Sequence, residues 1–264
     1  MRAIHLKKYL WLFIATLFGI GAFGYVYRHE LLFVATHYNS RLLITGLLAI
    51  GTDINTPVLN TTPLGLAVQD DNYELAKYLI SCGADVTLQS EGKGTAIIHY
   101  TTNPVMLKLL IAHGANINSK RRGGATLLHR AALNSPALAR ELITLGADVN
   151  STADNGMTPL FYTLMNPSLD HARLLIDLLV DSGASLCATD SDGNTVLHMA
   201  ASGRQLVIEN KEEKERHEQW YLKIVEKLLA RDADVCVRNN ADKTPADLAT
   251  EFNYPTIRAL LSTQ

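Results

Sequence analysis

Gly146-Ala147-Asp148-Val149-Asn150 leads, twelve residues after its first position, into Thr158-Pro159-Leu160-Phe161, and the two phrases recur together along the chain. The first returns as Gly51-Thr52-Asp53-Ile54-Asn55, Gly83-Ala84-Asp85-Val86-Thr87, Gly114-Ala115-Asn116-Ile117-Asn118, Gly183-Ala184-Ser185-Leu186-Cys187 and, in degenerate form, Asp232-Ala233-Asp234-Val235-Cys236. From first residue to first residue the offsets are 32, 31, 32, 37 and 49. Self-similarity at about 33 residues marks stacked two-helix units rather than one globular core. The second phrase keeps step as Thr62-Pro63-Leu64-Gly65, Ala96-Ile97-Ile98-His99, Thr126-Leu127-Leu128-His129, Thr195-Val196-Leu197-His198 and Thr244-Pro245-Ala246-Asp247.

Each phrase has a local physical meaning. Thr before Pro supplies an N-cap, and Pro at the first helical position gives up only a bond that would be unmade anyway. Small and apolar residues such as Ala131, Ala132 and Leu133 follow, and then a strongly apolar stretch such as Leu107, Leu109, Leu110 and Ile111. Apolar positions three and four apart pack one helix on its partner and on the next unit. The glycine after that stretch suits a left-handed helix terminus, where a Cβ is penalised. The segments between, Ser119 to Gly124 and Thr152 to Gly156, are polar and glycine-rich, as hairpin tips are.

Together the phrases resemble the ankyrin repeat, in which Thr-Pro-Leu-His opens the first helix and Gly-Ala-Asp-Val-Asn follows the second. The resemblance covers about residues 50 to 262. It implies an all-α solenoid of stacked helix-turn-helix units with hairpin tips, divided into an amino-terminal cap repeat at 29–55, repeats at 56–87, 88–118, 119–151, 152–188 and 189–237, and a carboxy-terminal cap repeat at 238–264. It also implies that the terminal Asn of the first phrase bonds between loops. Partners would be gripped by the tips and by the exposed side of each first helix. Carried onto this chain, the tip positions are Lys93, Arg122, Asp154, Asn155, Met157, Ser191, Asp192 and Asn194. The first-helix positions are Gln69, Asp70, Asn103, Leu133, Asn134, Met165 and Asn166. Tip charge runs basic at Lys93, Arg121 and Arg122 and acidic at Asp154, Asp190 and Asp192, which would orient a partner of complementary polarity.

Two repeats exceed the period. The fourth carries about four extra residues at Asn166 to Leu169, read as a lengthened turn, and the fifth about sixteen between its helices, near 204–220. Glu212 and Arg216 are four apart in the favourable order, so the charged tract Lys211 to Glu218 reads as a solvated helical extension, with a partner-specific arm as the alternative.

The amino terminus is of another kind. No charged residue occurs from Tyr9 to Tyr27, and 19 residues of helix span about 28 Å, close to a bilayer's hydrocarbon core. Residues 1–28 are therefore expected to form a transmembrane signal anchor. Arg2, Lys7 and Lys8 ahead of it favour a cytoplasmic amino terminus, giving a single-pass protein whose repeats face the periplasm in a bacterium. A cleavable signal peptide, with Ala22 and Gly24 as its small-x-small site, and a eukaryotic secretory lumen remain the competing readings.

Several functions are disfavoured. A net charge of −2 over 264 residues offers no basic stripe for nucleic acid. Three cysteines are too few for a disulfide framework, and free thiols are expected. His99, His129 and His198 occupy one motif position in different repeats, about 10 Å apart. Zinc ligands must all reach one ion at about 2.0 to 2.3 Å, so each histidine is expected instead to bond to the neighbouring turn. Gly19-Ile20-Gly21-Ala22-Phe23-Gly24 matches a dinucleotide fingerprint but lies inside the apolar segment, and Asp190-Ser191-Asp192-Gly193 lacks the later ligands of a calcium loop. No Gly-x-Ser-x-Gly elbow or His-Glu-x-x-His helix occurs. The expectation is a non-enzymatic protein-binding module with no cofactor, no metal and no small-molecule substrate. The whole arrangement also looks like bacterial ankyrin proteins that serve as immunity partners of secreted antibacterial toxins, notably lipases. An envelope scaffold and an exported effector that binds host proteins are the other two readings.

Overall fold

The computed structural model describes residues 27–90, 95–166, 168–203 and 210–263. The chain divides into two compact units, one ending at Asn116 and the other running from Ile117 to Gln264.

The first unit holds α1 (Arg28–His37), α2 (Arg41–Ala49), α3 (Pro63–Gln69), α4 (Tyr73–Ser81), a two-residue hairpin of β1 (Gln89–Ser90) and β2 (Thr95–Ala96), a 3-10 turn (Ile97–Tyr100) and α5 (Pro104–Ala112). Antiparallel pairing sets Gln89 opposite Ala96 and Ser90 opposite Thr95. Helices pair as hairpins, α1 with α2 and α3 with α4, while α1, α3 and the 3-10 turn form one row and α4 and α5 belong to a second. Leu32, Ile44, Leu64, Leu75, Leu79, Ile98, Leu107 and Leu110 fill the space between the rows.

The second unit repeats the plan more regularly. It contains α6 (Leu127–Asn134), α7 (Pro136–Thr144), α8 (Pro159–Thr163), α9 (Leu169–Asp181), α10 (Val196–Ala201), α11 (Lys211–Leu229), α12 (Pro245–Glu251) and α13 (Pro255–Leu261). The first helices α6, α8, α10 and α12 line up side by side, and the second helices α7, α9, α11 and α13 form the other layer. Leu128, Ala132, Leu142, Phe161, Ile176, Leu197, Val225 and Ile257 lie between the layers. The caps explain the starts. Thr62, Thr195 and Thr244 each accept a bond from the backbone three residues on, and Pro opens α3, α8 and α12. Repeat two departs from the series. Ala96 stands where the others have Thr and offers no hydroxyl cap, and a 3-10 turn takes the place of the α-helix.

Among the described residues, part of the extra sequence is absorbed as helix. In repeat four α9 runs to 13 residues, and in repeat five α11 takes in the charged tract and reaches 19. Its inner side is not free in solvent: Glu218 and Tyr221 are buried, while Glu212 and Arg216 are exposed.

One expectation is corrected. Among the described residues no helix is long and apolar enough to cross a membrane. The placement as a single-pass membrane protein with periplasmic repeats is therefore not supported, because α11, the longest helix described, carries charge along most of its length. The apolar run from Tyr9, the expected anchor or signal peptide and the Gly19 to Gly24 fingerprint lie outside the described residues, apart from Tyr27 and Arg28.

Candidate functional site

Four hairpin tips of the second unit share one backbone geometry. Arg121 N–H donates to Ala125 O, Ala153 to Met157, Asp190 to Asn194 and Asn239 to Lys243. Each tip then turns through a left-handed residue: Gly124, Gly156 and Gly193 at φ of 75°, 77° and 76°, and Asp242 at 59°. Adjacent tips are also bonded to one another. Asp154 N–H donates to Gly123 O at 3.0 Å, Ser191 N–H to Asn155 O at 2.9 Å and Asn240 N–H to Asp192 O at 3.0 Å. Contact is close enough that a Cβ on Gly156 would sit 2.9 Å from Ser191 N, and one on Gly193 would sit 2.8 Å from Asn240 N. The tips therefore form a backbone-bonded row that only glycine permits at these points.

The buried histidines brace that row from beneath. Thr126 N–H donates to His129 Nδ1 at 3.0 Å, which leaves the ring proton on Nε2 to donate to Met157 O at 3.1 Å. His198 repeats the arrangement, accepting from Thr195 N–H at 3.2 Å and donating to Lys243 O at 3.0 Å. Each ring thus caps its own helix and holds the next tip. Desolvation pushes both rings below their ordinary pKa of 6.5 and so favours the neutral form, and the carbonyl bonds oppose this only in part.

A third set of bonds runs through the closing phrases. Within the first unit Asn55 Oδ1 accepts from Asp85 N–H at 2.8 Å. In the second, Asn118 Oδ1 accepts from Asp148 N–H at 2.9 Å, and Asn150 accepts from Ser185 N–H at 2.8 Å while donating to Gly183 O at 2.9 Å. Thr87 and Cys187 interrupt the series. The Thr87 hydroxyl turns back onto Asp85, and Cys187 is an exposed free thiol, as is Cys236.

The expected partner-contacting residues divide by exposure. Gln69 and Asp70 of the first unit are exposed at the end of α3. Arg122, Asn134, Asp154, Asn155, Ser191 and Asp192 of the second unit are exposed, and Leu133, Met157 and Met165 are half-exposed. Others have structural work. Asn103 caps α5 through Val105 N–H and donates to Asp71. Asn155 Oδ1 accepts from Met157 N–H at 3.2 Å, so its side chain shapes its own tip. Asn166 and Asn194 are corrections, being only 3% and 6% exposed. Asn166 Oδ1 accepts from Ser168 N–H and stops the lengthened turn, and Asn194 bonds to Asp190 and accepts from Asn239 Nδ2 at 2.7 Å. Lys93 lies outside the described residues. Asn240, exposed on the sixth tip, is not among the residues that the sequence singles out, because that tip has Asp242 where the others have glycine.

Charge changes sign along the row. Arg121 and Arg122 give a basic third tip, Asp154 and Asp192 give acidic fourth and fifth tips, and the sixth is internally neutralised by the Arg238–Asp242 pair at 3.6 Å. Away from the tips, an open groove of about 360 Å³ lies over the second-helix layer, lined by Arg173, Lys223, Glu226, Lys227 and Ala230. Its floor is braced by Lys227 on Asp177 at 2.6 Å and by Arg231, which bonds Asp177 and Asp181 and holds Asp181 below the usual carboxylate range. Among the described residues no group of three or more His, Cys, Asp or Glu could hold a metal ion.

Comparison with known proteins agrees with this geometry. The model of ankyrin repeats in three copies matches residues 64–153 and 128–210, and the single ankyrin repeat model matches 192–240. A putative ankyrin repeat protein, FPV031, of Fowlpox virus (strain NVSL) is 32% identical over 117 residues, covering 42% of this chain and 34% of its own length. The E3 ubiquitin-protein ligase KEG of Arabidopsis thaliana is 28% identical over 202 residues, 74% of this chain. The chain thus spans about a third of the viral relative and 10% of the plant one. Among solved structures, the ankyrin repeat domain of Bcl-3, a member of the IkappaB protein family, superposes with a TM-score of 0.69, covering 88% of this chain and 97% of that one at 22% identity. At that identity the likeness speaks for the fold alone.

Proposed function

The chain belongs to the ankyrin repeat family, and from that premise we propose that it is a protein-binding module whose main contact surface is the tip row of the second unit. The observation that carries this reading is the division of labour among the tip residues. Backbone bonds, glycines and buried histidines hold the row, while Arg122, Asp154 and Asp192 point outward with no side-chain bond that the fold needs. A backbone already ordered removes the cost of ordering the tips on binding and leaves only that of fixing the side chains. The half-exposed Met157 beside them, with Leu133 and Met165 at the far ends of α6 and α8, supplies apolar area, and methionine adapts to irregular partners. The partner would set acidic groups over the third tip and basic groups over the fourth and fifth. Gln69 and Asp70 offer a separate contact on the first unit.

The finer reading, an immunity partner that neutralises a secreted toxin, rests on analogy of architecture. A scaffold or a host-directed effector would use the same surface. Affinity capture with the full chain, beside an Arg122→Ala/Asp154→Ala/Asp192→Ala variant, tests the proposal. A protein retained by the first and lost by the second supports it, and equal retention removes the tip row as the surface. The captured protein's identity separates toxin, scaffold and host target.

A further inference from the structure

Ser202 and Gly203, at the end of α10, are buried, whereas Gln69, Asp70 and Asn134 at the matching places of other repeats are exposed and Asn166 of the fourth is buried by its own turn. Two segments distant in sequence provide the cover. Tyr254, between α12 and α13, is 1% exposed, and a Cβ on Gly203 would lie 2.7 Å from its hydroxyl. Over Tyr254 lies the start of α11. His217 Nδ1 and Tyr254 Oη share a hydrogen bond of 3.0 Å, and the two rings stack at 6.0 Å. Lys214 Nζ stands 5.6 Å above the tyrosine ring. Glu218, 8% exposed, accepts from Thr256 N–H at 2.8 Å.

That last bond is a borrowed helix cap. Thr256 N–H is among the first amides of α13, which have no partner within the helix, and Tyr254 at the N-cap gives no side-chain bond. A carboxylate from the inserted tract supplies it. Burying a carboxylate is unfavourable unless it is hydrogen-bonded, so the contact ties the insertion to one place.

Besides the packing of α10 on α12 and of α11 on α13, the fifth and sixth repeats are hydrogen-bonded at the tip side, by Asn239 to Asn194, Asn240 to Ser191 and Asp192, and His198 to Lys243. The closing phrase lacks the Asn carboxamide there, because Cys187 occupies the place from which Asn118 and Asn150 bond to the next repeat. We propose that residues 210–221 are a strap that fastens the sixth hairpin to the fifth at the helix ends remote from the tips, and that releasing it loosens α12 and α13 and, with them, the sixth tip. An insertion of this kind sets how many tips are held in register. Its consequence for binding, a sixth tip presented only when the strap is closed, rests on the tip row being the partner surface.

Native-state hydrogen exchange on the full chain, without any partner, tests the strap itself. In Glu218→Ala the loss of a charge-assisted bond to a backbone amide is expected to speed exchange across 245–261 by about ten- to a hundredfold, with the amides of 127–181 unchanged. Glu218→Gln keeps an acceptor oxygen and should stay within a few-fold of the parent. Should the alanine variant not fold, Tyr254→Phe, which removes only the hydroxyl bonded to His217, is read by the same criterion. Unchanged exchange at 245–261, or equal acceleration from 127 to 261, overturns the strap. Partner capture plays no part in this measurement, so a failure here leaves the tip-row proposal standing, and a failure there leaves the strap.

Discussion

Gly156→Ala and Gly146→Ala place the same methyl group on left-handed glycines of two consecutive repeats, and they should differ sharply in cost. Both backbones are left-handed, at φ of 77° and 89°, so each variant carries the penalty of about 1 to 2 kcal/mol for a Cβ in that region. At Gly146 the cost ends there, because nothing lies within 4 Å of the new atom. At Gly156 it would meet Asp190 C and Ser191 N at 2.9 Å, and both are backbone atoms that cannot rotate away. The fifth tip must move, which breaks the bond from Ser191 N–H to Asn155 O and adds about 0.5 to 1.5 kcal/mol, before any displacement of Asn194 or Asp190. Gly156→Ala should therefore be less stable than Gly146→Ala by about 1 to 3 kcal/mol. Urea unfolding followed by far-ultraviolet circular dichroism provides the comparison, read as transition midpoints because repeat arrays do not always unfold in two states. Equal midpoints, or a lower one for Gly146→Ala, would refute the reasoning, since the tips would then not be in tight backbone contact.

Stability should also follow the two buried histidines. Both have folded pKa values below the 6.5 of the unfolded chain, so below pH 6.5 the unfolded state binds more protons and stability falls until the folded pKa values are passed. Urea midpoints at pH 7.5 and pH 5 check the sign, and a midpoint that rises on acidification contradicts it. Asn150→Ala removes two bonds to the next repeat and should cost about 1 to 3 kcal/mol by the same assay, while Asn134→Ala, on an exposed position, should stay within about 0.5 kcal/mol. His129→Ala loses the imidazole's bonds to Thr126 and Met157 and opens a cavity beside Tyr162, with an expected cost of about 2 to 4 kcal/mol. A cost below about 1 kcal/mol would mean that the imidazole does not hold the tip.

Much of the fold was legible because the repeat is written in residues that serve the backbone. Thr-Pro, the closing glycine and the terminal Asn each meet a local requirement that recurs with the period, and the buried histidines are found by position alone. What escaped was non-local. Nothing near Glu218 indicates that its carboxylate caps a helix 38 residues away, and Tyr254 lies in a stretch without a repeat signature. Exposure at the candidate site was also only partly legible. Asn166 and Asn194 occupy variable family positions, yet a lengthened turn and a neighbouring tip draw their carboxamides inward. The apolar amino-terminal run suggested a membrane placement that no described helix supports.

The binding isotherm of a captured partner against the parent chain and the Arg122→Ala/Asp154→Ala/Asp192→Ala variant bears most directly on the central claim, that the row is built by the backbone and used through its free side chains. The variant's Kd is expected to be at least about tenfold weaker, with a melting temperature within about 2 °C of the parent. An unchanged Kd, or a loss of affinity matched by a loss of thermal stability, would contradict it.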